Sequence, residues 1–335
     1  MSKKIKFLKK PILSVASVAI VAVLAFFAIT PGNNLNSLND SDYKIIDVHE
    51  NIDSMDQADK LVSVMDAVNI SQTVLVGSPE ELLNYTGEQG FSSIEENNEE
   101  ILSIANEYDE RFYAFCAIDP DDADKVATAK KCIAEGGTGL KLYNGHTFFY
   151  EYPLDDDRLL PLYRYAEEEG VPMMIHVNTA YYLDQFEDVL TLYPDLQVVC
   201  PHFCLSSKNP AQLASLFNDF PNLYVDISFG YQDYLKDGLT RISENIDVFK
   251  DLFNKYGDRF LFGTVAVVTN DEEKTEEWLE ETYRTYRDLL EKDIYTTARV
   301  TDEETGELVL LNGLALSADV LEKIYSGNWE GIMTR

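Results

Sequence analysis

Short apolar runs alternate along the chain with longer stretches in which apolar residues recur every three or four positions. The first pattern is typical of strands buried in a parallel sheet, and the second of amphipathic helices. The apolar runs cover residues 44–51, 72–77, 111–119, 138–143, 171–178, 196–204, 223–228 and 260–268. Eight strands, each followed by a helix, predict a (β/α)8 TIM barrel over residues 43–335. An open doubly wound sheet is the alternative, although no G-x-G-x-x-G follows the first strand.

The N-terminal residues follow a different pattern. Residues 1–10 contain five lysines and no acid, and residues 11–30 carry no charge. About 20 apolar residues can span a bilayer as a helix. We therefore expect residues 1–30 to form a lysine-rich cytoplasmic segment and a single-pass transmembrane anchor, and residues 31–42 a polar linker. The lysines would keep the N-terminus in the cytoplasm and place the barrel outside the cell membrane. A cleaved signal peptide is the alternative.

The chain is strongly acidic, with 59 acidic and 27 basic residues and a formal net charge of −32. Nucleic-acid binding requires a basic face, so this charge argues against it. A solvated acidic surface that keeps the domain soluble explains the composition. The partner expected for such a barrel is a small-molecule substrate, and the oligomeric state is left open.

Four ionisable residues lie at or near the ends of predicted apolar strands: His49, Lys141, His176 and His202. The carboxyl ends of barrel strands share one face, where active sites are found. Imidazole is the commonest metal ligand. We therefore expect these side chains to converge on a metal site.

Further residues near the same strand ends are candidates for contact with a substrate. They are Tyr143, His146, Asn178 and Ser228. Aromatic side chains after the fourth strand could form one wall of an apolar pocket. For His146, simple exposure to solvent is the alternative.

Two cysteines flank His202. A disulfide needs Cα atoms within about 7 Å, whereas four residues of a straight strand span about 13 Å. Cys200 and Cys204 are therefore predicted not to bridge each other. They are interpreted as small buried residues, and zinc ligation by a thiolate is the alternative.

The strand motifs resemble those of one known superfamily. In order they are Asp-Val-His49-Glu-Asn51, Gly-Leu-Lys141-Leu, Pro-Met-Met-Ile-His176, Val-Cys-Pro-His202, Tyr-Val-Asp-Ile-Ser228 and Phe-Gly-Thr-Val265. They look like the amidohydrolase superfamily, in the amidohydrolase-related (amidohydrolase 2) branch that includes amino-carboxymuconate-semialdehyde decarboxylase. The resemblance covers residues 44–333. It implies a (β/α)8 barrel with one or two divalent metals that assist hydrolysis or decarboxylation.

Two positions depart from the family pattern. Asn51 stands where the family has the second histidine of His-x-His, and Val265 where it has a metal-binding aspartate. The resemblance therefore implies a degenerate site with one divalent metal, expected to be zinc. Its ligands would be Lys141, His176 and His202, with His49 and Asn51 completing the site. Lys141 stands where some members carry a carboxylated lysine.

The function expected from these residues is that of a membrane-anchored metal-dependent hydrolase. It would act on an amide, ester or lactone-type bond, or act as a metal-assisted decarboxylase. His202 and Lys141 are the expected catalytic residues, although His202 could take a proton only when it is not a ligand. The alternative is a catalytically inactive barrel that binds a small ligand outside the cytoplasm.

Overall fold

The computed structural model describes residues 43–86, 90–146, 149 and 151–334. Within them, eight parallel strands form one sheet in chain order. The strands are β1 (Ile46–Glu50), β2 (Gln72–Val76), β3 (Phe112–Ala117), β4 (Gly139–Gly145), β5 (Met173–Val177), β6 (Val198–Cys200), β7 (Leu223–Asp226) and β8 (Phe260–Leu261). The amide of Val48 donates to the carbonyl of Phe262 at 2.9 Å, which joins β1 to the end of β8. The predicted (β/α)8 barrel is confirmed.

Helices cover the outside of the barrel with their apolar faces. They are α1 (Ala58–Ala67), α2 (Glu80–Leu83), α3 (Ile94–Glu107), α4 (Lys125–Ala134), α5 (Leu160–Glu169), α6 (Thr179–Leu192), α7 (Pro210–Asp219), α8 (Gln232–Glu244), α9 (Ile246–Tyr256), α10 (Glu276–Glu291), α11 (Ala318–Glu322) and α12 (Asn328–Met333). A short antiparallel pair, β9 (Ile294–Tyr295) and β10 (Leu311–Asn312), lies between α10 and α11 in the chain.

Apolar side chains fill the barrel below the carboxyl ends of the strands. Val48, Val74 and Met174 pack there with Trp329 of α12 in one buried cluster. A Cβ atom at Gly139 would lie 2.3 Å from the ring of Phe115, so a side chain at this position would displace that ring. With the lower barrel filled, polar side chains of the strands are left at the carboxyl-terminal end.

The sixth strand is shorter than predicted, and this changes the environment of His202. β6 ends at Cys200, and the next four residues from His202 to Leu205 have φ angles of 58°, 56°, 54° and 53°. In this left-handed turn the chain reverses, so the Cα atoms of Cys200 and Cys204 lie 5.1 Å apart and the two residues form a disulfide. The prediction that they cannot bridge was wrong because it assumed a straight strand. Zinc ligation by these two cysteines is excluded because both sulfurs are in the disulfide.

A second disulfide joins Cys116, in β3, to Cys132, in α4. It links a strand to the helix that follows it, 16 residues further along the chain. Neither Cys116 nor Cys132 lines the cavity that the candidate histidines face.

The predicted single-pass location in the cell membrane is contradicted. Among the described residues, no helix is both long enough and apolar enough to cross a bilayer. The longest of these helices, α10, has 16 residues and buries one face against the barrel while charged residues occupy the other. The segments predicted as the anchor and the linker, residues 1–42, lie outside the described residues.

Candidate active site

The carboxyl ends of the strands open into a cavity of about 460 Å³. Most of the candidate residues line it: His49, Asn51, Tyr143, His146, His176, Asn178 and His202. They come from β1, β4 and β5 and from the segments that follow β1, β4, β5 and β6. The barrel therefore brings together side chains that are more than 150 positions apart in the sequence, since His49 and His202 face the same cavity.

Asp226, the last residue of β7, orients two of the imidazoles. Its Oδ2 lies 2.7 Å from His49 Nδ1. Its Oδ1 accepts a hydrogen bond from Ser228 Oγ at 2.5 Å, and Ser228 Oγ lies 2.7 Å from His202 Nδ1. Because an ionised carboxylate only accepts, and the Ser228 proton points to it, both Nδ1 atoms carry hydrogen. Each Nε2 is therefore left with a lone pair.

Three buried polar atoms around this floor have no hydrogen-bond partner among the described residues: Asn51 Oδ1, Lys141 Nζ and His176 Nε2. The Asn51 amide nitrogen donates to Ser78 Oγ at 2.8 Å, which leaves its oxygen unpaired. Buried polar atoms are nearly always paired in folded proteins. Their concentration at one place indicates a site that is completed by a bound group.

Two candidate residues lie beneath the cavity surface. Lys141 is fully buried, and its Nζ lies 4.7 Å from the centroid of the Tyr143 ring. Ser228 is also fully buried, and its hydroxyl connects Asp226 to His202. The structure thus places Ser228 behind an imidazole, where it fixes the tautomer, and not on the cavity wall where it would contact a substrate.

Burial controls the protonation of the cavity floor. It lowers the pKa of His202 to about 3, and burial together with the charge of Lys141 lowers the pKa of His146 to about 4. Burial also lowers the pKa of His176 far below its usual range. The imidazoles are therefore neutral near pH 7, which is the form that binds metals. Burial lowers the pKa of Lys141 to about 7.

Asp226 remains ionised in this buried environment. Burial by itself would raise the pKa of Asp226, but its interactions with His49, including the hydrogen bond from Nδ1, hold that pKa below its ordinary value. The carboxylate also accepts hydrogen bonds from the amides of His202, at 2.9 Å, and Ser228, at 3.0 Å. These donors favour the charged form.

The opposite side of the floor is built from backbone. Glu50, which is fully buried, accepts hydrogen bonds from the amides of Ala266 and Val267 at 3.1 and 2.7 Å. Asp47 accepts the hydroxyl of Thr264 at 2.6 Å. These carboxylates hold residues 264–267 in a loop where Val265 has a φ of 50°. An apolar side chain consequently lines the cavity where the family pattern has an aspartate.

The imidazole positions were tested for their fit to one cation. The ring centroids of His49 and His202 are 5.3 Å apart, and those of His176 and His202 are 4.9 Å apart. Two imidazoles on one tetrahedral zinc, at a metal–nitrogen distance of about 2.1 Å, have centroids roughly 5 Å apart. Ligand atoms of His49, His202 and Asp226 also lie within 4.8 Å of one another. His49, His202 and Asp226 are therefore the described group that fits a single divalent cation, and the ring of His176 lies next to it.

Sequence reasoning missed Asp226, although it stands two residues before the candidate Ser228. A carboxylate at the end of an apolar strand is itself a signal, because burial of an unpaired charge is costly. Glu50 and Asp47 were missed for another reason. They support the 264–267 loop from behind, and this contact depends on the closure of β1 onto β8.

Comparison with known proteins points to one family. The family model described as amidohydrolase, of the amidohydrolase 2 type, matches residues 86–328. No curated protein matches the chain.

Solved structures share the fold at low sequence identity. An uncharacterised TIM-barrel protein from Bordetella bronchiseptica is 20% identical, with a TM-score of 0.60 over 87% of this chain and 100% of that one. A probable 2-pyrone-4,6-dicarboxylic acid hydrolase from Acinetobacter baumannii is 14% identical, with a TM-score of 0.56 and the same coverages. A 2,6-dihydroxybenzoate decarboxylase from Rhizobium is 12% identical, with a TM-score of 0.52 over 87% and 99%.

Proposed function

The chain belongs to the amidohydrolase family, in its amidohydrolase 2 branch, and on that premise we propose that it is a metal-dependent hydrolase. The bond attacked would be of the amide, ester or lactone type. The observation that carries this proposal is the group of unpartnered buried atoms on the cavity floor, Asn51 Oδ1, Lys141 Nζ and His176 Nε2. A bound cation and a polar substrate would satisfy them.

The ligands that we propose are His49, His176 and His202. Two of them have an Nε2 lone pair fixed by the network around Asp226, and the third has an unpartnered Nε2. Three neutral imidazoles would favour zinc. The unpartnered Asn51 Oδ1 lies on the same cavity and could contact the substrate. When bound, such a cation polarises a carbonyl group and acidifies water.

Proton transfer is assigned to Lys141. With a pKa of about 7, its side chain is present both as amine and as ammonium near neutral pH. This is the best condition for a group that must accept a proton and then return it. In hydrolysis the amine would take a proton from the attacking water, and the ammonium would give it to the leaving group. This assignment leaves His202 free to be a ligand.

Decarboxylation is the second candidate reaction, and Val265 is the observation that favours it. Hydrolysis in this family uses an aspartate at that position for the proton of water, and valine cannot serve. Loss of CO₂ needs no such base, because the bond to the carboxylate breaks and the substrate carbon takes up a proton. The Lys141 ammonium could supply that proton. One of the similar structures is named as a decarboxylase.

The alternative of an inactive binding barrel is not supported. Asn51 and Val265 depart from the family pattern, yet the four histidines line one cavity, and the network around Asp226 orients two of them from behind. A dismantled site would have no physical reason to keep a buried lysine without a partner.

Metal content is the first test. The full chain would be purified without chelators and analysed for metals, together with His176→Gln, His202→Gln and His146→Asn variants. We expect about one equivalent of zinc in the wild type, loss of it in the first two variants, and retention in His146→Asn. His146 is the matched control, since it lies 4.4 Å from His176 between ring centroids but is not a proposed ligand.

Activity is the second test. The wild type and Lys141→Met would be assayed on a panel of aryl esters, lactones, amides and hydroxybenzoates, with CO₂ release followed for the last class. Turnover of one class, abolished by Lys141→Met with zinc retained, would support the proposal. Zinc-loaded protein that turns over no member, or activity that survives Lys141→Met, would contradict it.

A further inference from the structure

The mouth of the cavity carries two cations that the chemistry at the floor does not use. Arg241, on α8, and Lys208, just before α7, both line the cavity. Neither forms an ion pair with a carboxylate in the described part of the chain. Several other cations of this acidic chain do pair with carboxylates, among them Lys236 and Lys250. These two cations are therefore positioned to attract an anionic ligand to the entrance.

Arg241 is held in position by the segment that carries His202. Its Nη1 donates a hydrogen bond to Ser207 Oγ at 3.0 Å, and the residue is half-buried. Ser207 follows the left-handed turn of residues 202–205. A guanidinium has five N–H donors in a planar fork, so donors remain for a ligand.

Two acids, Glu81 and Asp237, also line the mouth, and they differ in their hydrogen-bond partners. The carboxylate of Glu81 accepts hydrogen bonds from the amide and the hydroxyl of Ser92, at 3.1 and 2.6 Å. Asp237 precedes Arg241 by one helical turn on α8 but forms no ion pair with it. The charge of Arg241 is therefore available to a ligand, while Asp237 opposes the binding of an anion.

Aromatic side chains form another part of the mouth. Tyr85 and Tyr231 line the cavity with their ring centroids 3.7 Å apart. Tyr231 donates a hydrogen bond to the carbonyl of Leu82 at 2.7 Å, which ties the ring to the segment after β2. Such a wall favours a flat, partly apolar ligand body over a flexible chain.

We propose that Arg241 and Lys208 form an anion-binding subsite at the mouth, which recognises a carboxylate remote from the reacting group of the substrate. The substrate is then a planar acid that places its reacting group at the cavity floor and a carboxylate at the mouth. This inference rests on the proposed function for the identity of the floor. The mouth subsite itself depends only on the two cations.

The test uses isophthalate, a planar dicarboxylate, and benzoate, which lacks the second carboxylate. Dissociation constants would be measured by isothermal titration calorimetry for the full-length wild type and for Arg241→Met, Lys208→Met, Asp237→Asn and Lys236→Met. Lys236 is the matched control because it lies on α8 and pairs with Glu303 away from the cavity lining. Zinc content would be recorded for every sample.

We expect Arg241→Met to weaken isophthalate binding about tenfold, as loss of a hydrogen bond to a charged group does, and to leave benzoate binding unchanged. Lys208→Met should have a smaller effect of the same kind, because Lys208 is exposed. Asp237→Asn should tighten isophthalate binding, and Lys236→Met should change nothing.

Equal affinity of the wild type for isophthalate and benzoate would overturn the subsite, as would an equal loss of both ligands in Arg241→Met. Absence of zinc with intact discrimination between the two ligands would overturn the metal-dependent function and leave the subsite standing. Failure of the two proposals is therefore distinguishable.

Discussion

The two sides of the cavity floor are built in different ways. Around the end of β7, Asp226 accepts a hydrogen bond from His49 and Ser228 accepts one from His202, so both imidazoles are held towards the cavity. On the side where β1 meets β8, carboxylates are present in similar number but turn away from the cavity. Glu50 and Asp47 bind the backbone of residues 264–267.

This difference shows that a buried carboxylate can serve either chemistry or architecture, and that its hydrogen-bond partners decide which. Asp226 orients two side chains that face the cavity, so its charge acts on whatever binds there. Glu50 accepts hydrogen bonds from the loop amides of Ala266 and Val267 and from the hydroxyl of Tyr283, at 2.6 Å, so its carboxylate stabilises a loop. The loop presents Val265 to the cavity, so the proposed metal would be held by the imidazole side alone.

The largest expected effect is that of Asp226→Ala on the imidazole side. Removal of this carboxylate leaves the buried His49 Nδ1 and three further donors without their acceptor. We expect a loss of about 4 kcal/mol in the free energy of unfolding, as for a broken buried ion pair, together with loss of bound zinc. Urea unfolding and elemental analysis would measure both.

The control for this variant is Asp271→Asn, which changes an exposed acid just past the loop on the other side. It should alter neither stability nor zinc content. If Asp226→Ala keeps its zinc, orientation of His49 and His202 by Asp226 is not required for the site.

A fall in pH should change the stability contributions of the histidines and of the buried carboxyls in opposite directions. The pKa of His146 is lowered to about 4 in the fold, so its neutral form stabilises the protein above the unfolded pKa of about 6.5. That stability is lost as the pH falls from about 6.5 towards 4, at about 1.4 kcal/mol per pH unit. Burial instead raises the pKa of Asp47 and Glu50, so these two carboxyls favour the fold as they become protonated.

Urea unfolding of the zinc-free protein between pH 7 and pH 4.5 measures the net change in the free energy of unfolding. His146→Asn should make the acid-induced loss of stability smaller. A slope identical to that of the wild type would mean that His146 titrates normally in the fold.

The Cys200–Cys204 disulfide should matter for the site, and the Cys116–Cys132 disulfide for stability alone. Opening the first by Cys200→Ser and Cys204→Ser is expected to destabilise the fold by about 2 kcal/mol and to weaken zinc binding, because it releases the turn that carries His202. Opening the second by Cys116→Ser and Cys132→Ser should destabilise by about 3 kcal/mol and leave zinc affinity unchanged. Equal zinc affinities of the two double variants would show that the Cys200–Cys204 disulfide has no special role in the site.

The smallest expected effect is a gain on the loop side. Val265→Asp would place a carboxylate on the cavity at a φ of 50°, which aspartate tolerates better than valine. We expect zinc affinity to rise about tenfold, as for one added ligand contact, measured by competition with a chromogenic chelator. Val267→Asp is the matched control on the same loop, with a φ of 60°. Equal gains for both variants would show a nonspecific electrostatic effect.

Part of this site could be predicted from the sequence because barrel topology sends every strand end to one face. His49, Asn51, His176 and His202 are recognisable as residues at or just after strand ends, and they line the cavity. The role of Ser228 was not predictable. Its hydroxyl could point to the cavity or behind it, and the choice depends on Asp226 and the turn after β6.

The sequence by itself determined the order of strands and helices, and thereby the barrel, because the alternation of apolar runs follows from local burial. It also determined which side chains reach the carboxyl-terminal face. The tertiary structure decided how those side chains are used. The turn at His202 and its disulfide are local, but no strand pattern shows them. The orientation of Asp226, Glu50 and Asp47 depends on contacts between residues distant in the chain. Such contacts exist only after β1 has closed onto β8, so no local pattern specifies them.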